Sequence, residues 1–483
     1  MSNDNSSSDT SGSDRAGSGG SSSSGSSSGS TGTATSSGAA AAATSTAPTT
    51  LAKWNLTDSN NKMYGVSLGN WLVIERWMDE DWMVQTGGSD AWDEWTLTEN
   101  LGSDAASVLT EHWNSWITEE ELDTFKSAGM NHVRIPVGYW AFIPAASGEP
   151  YLAMSGQTDQ LTKMLGWLNA RGMYASIDLH GMPGSQNGDQ ASGHNTSKVE
   201  WFTDTNQQLS YQTLNATIAY IKASEYASTV SSIGVVNEPR PSHYSFSSSE
   251  ASANWDTLEN YYETAYQICL EAEIPMLFHH GFWSGSGTPA NHWRSFATGK
   301  NPNYLGYEDH PYPGWFTPQN NSESYMKDNA CDIIQGAVGY PVPMLITEWS
   351  SINGVYSDSW TQQWTNIQLA GYAWSGGSIF WSGKVMNSTT QILSLPNELQ
   401  MLYSGITLIQ AGILPIPSSS TESNVDFLSS LSGANGCGTF QTDTWTNPST
   451  SGSSYNERRS LDDRSLGIDS ASLLKKRLQD SEN

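Results

Sequence analysis

Eight short apolar runs, each stopping at or beside a polar residue, divide the chain between Tyr64 and Trp381. They are Tyr64–Leu68, His132–Val137, Tyr174–His180, Gly234–Glu238, Pro275–His280, Tyr304–His310, Val342–Glu348 and Gly377–Trp381. Between them lie longer stretches of helical spacing: Asp104–Trp113, Thr158–Arg171, Leu214–Ala227, Trp255–Ala272, Ser324–Gln335, Ser359–Ala373 and, after the last run, Pro396–Ala411. A further helix should start at Thr118, an N-cap with Glu121 three residues on, and stop near Gly129. Strands that alternate with helices build a parallel sheet covered on both faces, and eight repeats close it. The expected fold is α/β, a (β/α)8 TIM barrel.

In such a barrel the working residues sit where strands end. Arg134, His180, Asn237, Glu238, His280, His310, Glu348 and Trp381 all lie at or near those ends. Two runs finish in a single glutamate: Val235-Val236-Asn237-Glu238, stopped by Pro239, and Leu345-Ile346-Thr347-Glu348. A carboxylate at the end of a buried strand is costly unless it is paired or used. Strands four and seven face one another across eight, so Glu238 and Glu348 can form the acid/base and nucleophile of glycosidic cleavage. Asn237 would then offer its amide to a sugar 2-hydroxyl. Blander readings exist for the rest: Arg134 as a buried ion-pair partner supporting Glu348, His180 as a core histidine, Asp178 as a structural hydrogen-bonder.

Composition bounds the remainder. The first 52 residues are mostly Ser, Gly, Thr and Ala, and residues 446–483 are polar; neither tract has the apolar content to offset ordering entropy, so disordered tails are expected around one domain at 53–445. Forty-nine acidic against 21 basic residues give a net charge of −28, which excludes a nucleic acid partner. The 21 Trp and 20 Tyr fit either a large aromatic core or stacking on pyranose faces. Three cysteines allow at most one internal disulfide. Neither a signal-peptide shape nor a membrane-length apolar run is visible, while five Asn-x-Ser/Thr triplets would suit a secreted chain.

Longer motifs carry a resemblance. Gly65-Val-Ser-Leu-Gly-Asn-Trp-Leu-Val-Ile-Glu75, Asp93-Glu-Trp-Thr-Leu-Thr98 and His132-Val-Arg-Ile-Pro-Val-Gly-Tyr-Trp-Ala-Phe142 are followed by Asp178-Leu-His-Gly-Met-Pro-Gly-Ser-Gln-Asn-Gly188. Asn237-Glu-Pro, His310-Pro-Tyr312, Glu348-Trp-Ser and Phe380-Trp381 complete the set. From about Met63 to Cys437 the chain resembles the fungal-type exo-β-1,3-glucanases of glycoside hydrolase family 5. The resemblance implies retaining removal of glucose from non-reducing ends of β-1,3-glucan, with Glu238 as acid/base and Glu348 as nucleophile. It implies that Glu75, Arg134, His180, Asn237, His310, Tyr312 and Trp381 line the terminal-glucose subsite, Tyr312 bonding the nucleophile or ring oxygen and Trp381 lying under the sugar. Trp315 would supply half of an aromatic clamp on the second sugar. A Cys331–Cys437 disulfide with Cys269 free, no metal, no cofactor, a monomer, and an extracellular or cell-wall location are also implied.

The chain departs from the family at Asp189, where a phenylalanine is expected, at Thr347, where a glycine is expected, and at Trp381-Ser-Gly-Lys-Val-Met386, which lacks a second Trp and an acid. These changes leave open a β-1,6- or mixed-linkage glucanase or transglycosylase on the same barrel, and a non-catalytic glucan-binding protein.

Overall fold

Glycine sets the tightest seams of the sheet. A Cβ at Gly65 would lie 2.0 Å from the His132 carbonyl oxygen, and one at Gly377 (φ +107°) 2.0 Å from that of Met63. Only glycine lets those strands approach. The computed structural model describes residues 48–313, 322–355, 357–389, 397–419, 421–431 and 437–439. Its strands are β1 (Met63–Ser67), β2 (His132–Gly138), β3 (Tyr174–Gly181), β4 (Val230–Gly234), β5 (Met276–His279), β6 (Leu305–Asp309), β7 (Met344–Ile346) and β8 (Gly377–Phe380). Each pairs in parallel with the next, and β8 returns to β1 with Gly65 opposite Ile379. This is the expected (β/α)8 barrel.

The segment before β1 closes the end where the strands begin. Trp54 and Leu56 pack with Met63, Leu277, Leu345 and Ile379, and the Trp54 ring meets His132 and Tyr174, the first residues of β2 and β3. Residues 49–52, grouped by composition with the low-complexity tract, bond to the barrel: the Thr49 and Leu51 amides donate to Asn169 and Ser228, and Tyr174 donates to the Ala52 carbonyl. The rest of the two expected tails lies outside the described residues. Cys331, on the helix Glu323–Gly336, is bonded to Cys437, with Cα atoms 5.1 Å apart, and Cys269 is a buried free thiol.

Most expected helices are present with shifted ends. The Thr118–Glu121 capping box starts Glu119–Ser127, and Gly129 follows at φ +82°. The helices Asp204–Ala223 and Ser248–Ala272 begin earlier than their apolar spacing shows, because their first turns are polar; Ser247 and Glu250 cap the second reciprocally. Four further helices, Glu80–Gly87, Glu94–Leu101, Pro289–Ala297 and Asn424–Ser430, are not expected from the sequence; all are short, with nine residues at most. The helix expected at Pro396–Ala411 is broken. Its described part is Asn397–Gln400, a 3₁₀ turn Met401–Tyr403, and Gly405–Gln410, since the Tyr403 carbonyl and Gly405 amide bond instead to Ser382.

The fourth strand also differs. Regular pairing ends at Gly234, four residues before Glu238. Beyond it the Val235 amide still donates to Leu277 and the Asn237 amide to Leu179, so the extended path continues between two neighbours. At Glu238 φ turns to +44°, which takes the chain out of the sheet.

Glu94 ties the loops over β1 and β2 together, accepting from the Ile74 amide (3.0 Å) and Trp140 Nε1 (2.9 Å). Burial pushes its carboxyl up to about 8, against the pull of those two donors. An unfolded chain ionises this group near 4.5, so its contribution to stability is complete below that pH and is lost as pH rises toward 8. The melting temperature should therefore fall between pH 5 and 8, and Glu94→Gln should flatten that slope. Parallel slopes in the two proteins would contradict the assignment.

Candidate active site

Arg134 is the third residue of β2, its guanidinium fully buried at the end of the barrel where strands finish. One nitrogen, Nη1, donates to Glu348 Oε1 at 2.6 Å. The other, Nη2, donates to Asn237 Oδ1 at 2.9 Å and pairs with Asp178 Oδ1 at 3.0 Å. One side chain thus ties β2 to β3 and to the segments beyond β4 and β7. Burial alone would weaken its charge, but Asp178, Glu348 and Glu308 drive its pKa above the ordinary arginine value. For Asp178, burial raises the carboxyl and Arg134 and His180 bring it below the carboxylate range.

Asp178 and His180 lie two apart on β3 and share a face, and His180 Nδ1 meets Asp178 Oδ2 at 2.6 Å. The His180 ring is parallel to Trp381, centroids 5.5 Å apart and planes 10° off. Gln186 fixes the backbone beneath both neighbours: its Nε2 donates to the His180 and Asn237 carbonyls at 2.6 and 2.9 Å. Trp381 itself packs on Met78, Ile352, Val385 and Tyr403.

The two glutamates are held differently. Glu348 accepts from Arg134 on Oε1 and from the Tyr312 hydroxyl (2.8 Å) on Oε2. Burial, then the nearby Glu348 and Glu238 carboxylates, push the Tyr312 phenol well above its usual range, so it stays a donor. Glu238 is half-buried, and its Oε1 lies 2.8 Å from His310 Nδ1. The same nitrogen is 3.7 Å from Glu348 Oε2. One ring atom therefore reaches both carboxylates, and their oxygens are no further apart than those two distances together. A direct-displacement pair, ~5–5.5 Å apart, fits within that bound, whereas an inverting pair sits at roughly 6.5–9.5 Å.

Burial opposes the charge on His310, but Glu348 and Glu238 raise its pKa to about 9. Burial would likewise raise Glu238; the hydrogen bond and charge of His310, with Arg240 and His180 beyond, hold it below the ordinary value. The two groups titrate as one unit.

Glu75 sits at the edge of this cluster. Trp77 Nε1 donates to its Oε2 at 3.0 Å, while Oε1 is buried with no protein partner among the described residues. Burial lifts its carboxyl to about 7 despite the nearby His180. Where the resemblance leads one to expect an aromatic ring, Asp189 pairs with Arg240 at 2.8 Å, and Arg240 lies over Phe282 at 4.9 Å. Trp315 lies outside the described residues. A recess of about 480 Å³ lined by Trp95, Glu149, Tyr151, His194, Lys198 and Asn206 contains neither glutamate.

Glu75, Arg134, His180, Asn237, Glu238, His310, Tyr312, Glu348 and Trp381 are thus linked by contact or mutual charge. Sequence reading missed Gln186, Arg240, Thr347 and Glu308 as members. Glu308 had a signal, since it stands on β6 two residues before His310, which follows the strand directly. Glu238, His279 and His310 bring donor atoms within 4.8 Å of one another, close enough to share a cation. Both His310 nitrogens are engaged in hydrogen bonds, to Glu238 and Thr347, so the group is held as an ion pair.

The description Cellulase (glycosyl hydrolase family 5) matches residues 99–384. A probable glucan 1,3-beta-glucosidase A of Aspergillus niger is 36% identical over 292 residues, 59% of this chain and 64% of that one. Its counterpart in Emericella nidulans is 37% identical over 306 residues, 62% and 68% of the two chains. The chain thus spans about two thirds of the length of these relatives. The crystal structure of rutinosidase from Aspergillus niger superposes with a TM-score of 0.64 at 21% identity, covering 75% of this chain and all of that one; the likeness is one of fold.

Removing the central cation tests the site's own energetics. Arg134→Met would leave Glu348 and Asp178 buried without their counter-charge, and urea unfolding should show a loss of about 3–5 kcal/mol. A loss below ~1 kcal/mol would mean that the carboxylates find other partners.

Proposed function

The chain belongs to glycosyl hydrolase family 5, and from that premise we propose that it removes glucose from non-reducing ends of β-1,3-glucan by double displacement. The observation that carries the reading is the single His310 nitrogen reaching both glutamates, at 2.8 and 3.7 Å. The names of the similar Aspergillus niger and Emericella nidulans proteins support the substrate.

In the first displacement a Glu348 oxygen bonds to the anomeric carbon as the glycosidic C–O bond breaks. The proton held between Glu238 and His310 passes through Glu238 to the departing oxygen. In the second, Glu238 takes a proton from water, the water oxygen bonds to the anomeric carbon, and the Glu348 ester breaks with configuration retained. Arg134 and Tyr312 hold Glu348 aimed through one hydrogen bond to each of its oxygens. Asn237 holds the sugar 2-hydroxyl, Trp381 lies under the ring beside His180, and Glu75 Oε1 takes a hydroxyl of the terminal glucose. Trp315 contributes to the second-sugar site in this reading.

A second reading rests on Asp189 and Arg240. An ion pair where a flat ring would clamp the second sugar favours β-1,6- or mixed-linkage glucan, or transfer to another sugar. A binding-only barrel is disfavoured, since Arg134 and Tyr312 converge on one carboxylate that mere binding does not require. The proposal includes a catalytic domain at 53–445 between tails 1–52 and 446–483, a monomer, and action outside the cell or at its wall. The Cys331–Cys437 bond suits such an oxidising setting. No helix among the described residues is long and apolar enough to cross a membrane.

The test is product release from laminarin beside a β-1,6-glucan, with the first anomer read by NMR. β-Glucose should appear first, from laminarin, and Glu238→Gln should slow release on the order of 10²–10⁴-fold. Unchanged release by Glu348→Gln would overturn the nucleophile. α-Glucose first would overturn retention, activity mainly on the β-1,6-glucan would favour the second reading, and no product from either would favour binding alone.

A further inference from the structure

A hydrogen-bonded chain runs behind His310, away from both glutamates. His310 Nε2 lies 2.9 Å from Thr347 Oγ1, and the Thr347 hydroxyl donates to Glu308 Oε2, also at 2.9 Å. Thr347 and Glu308 are both fully buried. A hydroxyl has one proton, and with Glu308 ionised it goes to that carboxylate. Thr347 Oγ1 must then accept from His310, so His310 carries a proton on Nε2.

That fixes what Nδ1 can do. With Nε2 protonated, the neutral ring has a bare Nδ1 facing Glu238 Oε1 at 2.8 Å. The charged ring has Nδ1–H donating to an ionised Glu238. One proton moving between Nδ1 and Oε1 interconverts the two states, and no other atom need shift. If the neutral ring instead kept its proton on Nδ1, it would donate to Glu238 and hold that group as a carboxylate, unable to receive the proton it must deliver.

Resting on the function proposed above, we infer that Thr347 and Glu308 are positioning residues that fix the tautomer of His310 and so keep the acid's proton available to Glu238. Neither touches the sugar.

Charged and titratable groups face His310 from several elements. Glu238 follows β4, Glu348 follows β7, and Arg134 and Asp178 lie on β2 and β3. His279 on β5 has its ring centroid 4.7 Å away, and burial and its cationic neighbours hold it neutral. Glu308 lies on β6, two residues before His310; burial pushes its carboxyl up, and the charges of His310 and Arg134 and the Thr347 hydroxyl offset that only in part. Of these groups, the one joined through Thr347 is Glu308, so a change at Thr347, which carries no charge, separates the chain from the general field.

The experiment is long-range ¹⁵N–¹H NMR of histidine-labelled full-length protein across pH, with His310→Asn used to assign the His310 signals. In the unaltered protein the neutral ring should be protonated on Nε2, and His310 should lose its charge well above the ordinary histidine range. Thr347→Val should move that titration down by about a pH unit or more, or switch the proton to Nδ1, and Glu308→Gln should do likewise; Thr347→Ser should restore the original behaviour. If Thr347→Val fails to fold, Thr347→Ala and Glu308→Gln decide the matter. An unchanged tautomer and titration in the folded variants would overturn the inference. The basic limb of glucose release from laminarin should move in parallel with the NMR titration, with KM little altered. Absence of glucose from the unaltered protein would refute the proposed function, while the NMR result would still decide the role of Thr347 and Glu308.

Discussion

Arg134 is a buried cation, and the site's geometry follows from how that charge is balanced. A buried guanidinium is tolerable only when carboxylates and amides fill its donors. Here Glu348, Asp178 and Asn237 do so, each from a different strand or strand end. The planar fork fixes directions as well as charge, so the three partners cannot drift independently. The barrel brings the strands together, and the arginine specifies where their last side chains point.

The two glutamates acquire different characters from what touches them. Glu348 has a donor on each oxygen, Arg134 on one and Tyr312 on the other, which limits its rotation. Glu238 stands on a turn at φ +44°, only partly exposed, with a titratable partner in His310. A group that must stay charged and aimed is given a permanent cation. A group that must gain and lose a proton is given a neighbour able to hold it.

Much of this was legible because barrel strands are short and their ends are chemically abrupt. Arg134, His180, Glu238, His310 and Glu348 interrupt apolar runs, and a polar residue there has few structural excuses. The extent of strand four was not legible, because Val235 and Val236 look like ladder residues and the turn at Glu238 follows from tertiary pairing with Leu179 and Leu277. Nor was the break at Tyr403 and Gly405, whose local sequence suits a helix but whose backbone groups pair with Ser382 from another part of the chain. Thr347 was visible only as an unusual neighbour of Glu348. Its partner, Glu308, lies 39 residues away, and nothing local announces the contact.

The same comparison bears on how a barrel of this kind can vary without losing its chemistry. Arg134, Asn237 and Glu348 are bound to one another, and Glu238 to His310, so changing any one leaves a buried partner uncompensated. Asp189 and Arg240 are bound to each other at the rim, with Phe282 beneath. Exchanging them as a unit leaves the hydrogen bonds around Arg134 intact and reaches the centre only through the charge of Arg240 on Glu238. Substrate preference can thus diverge at this rim while Glu238 and Glu348 keep their hydrogen-bonded partners, provided a cation stays near Glu238.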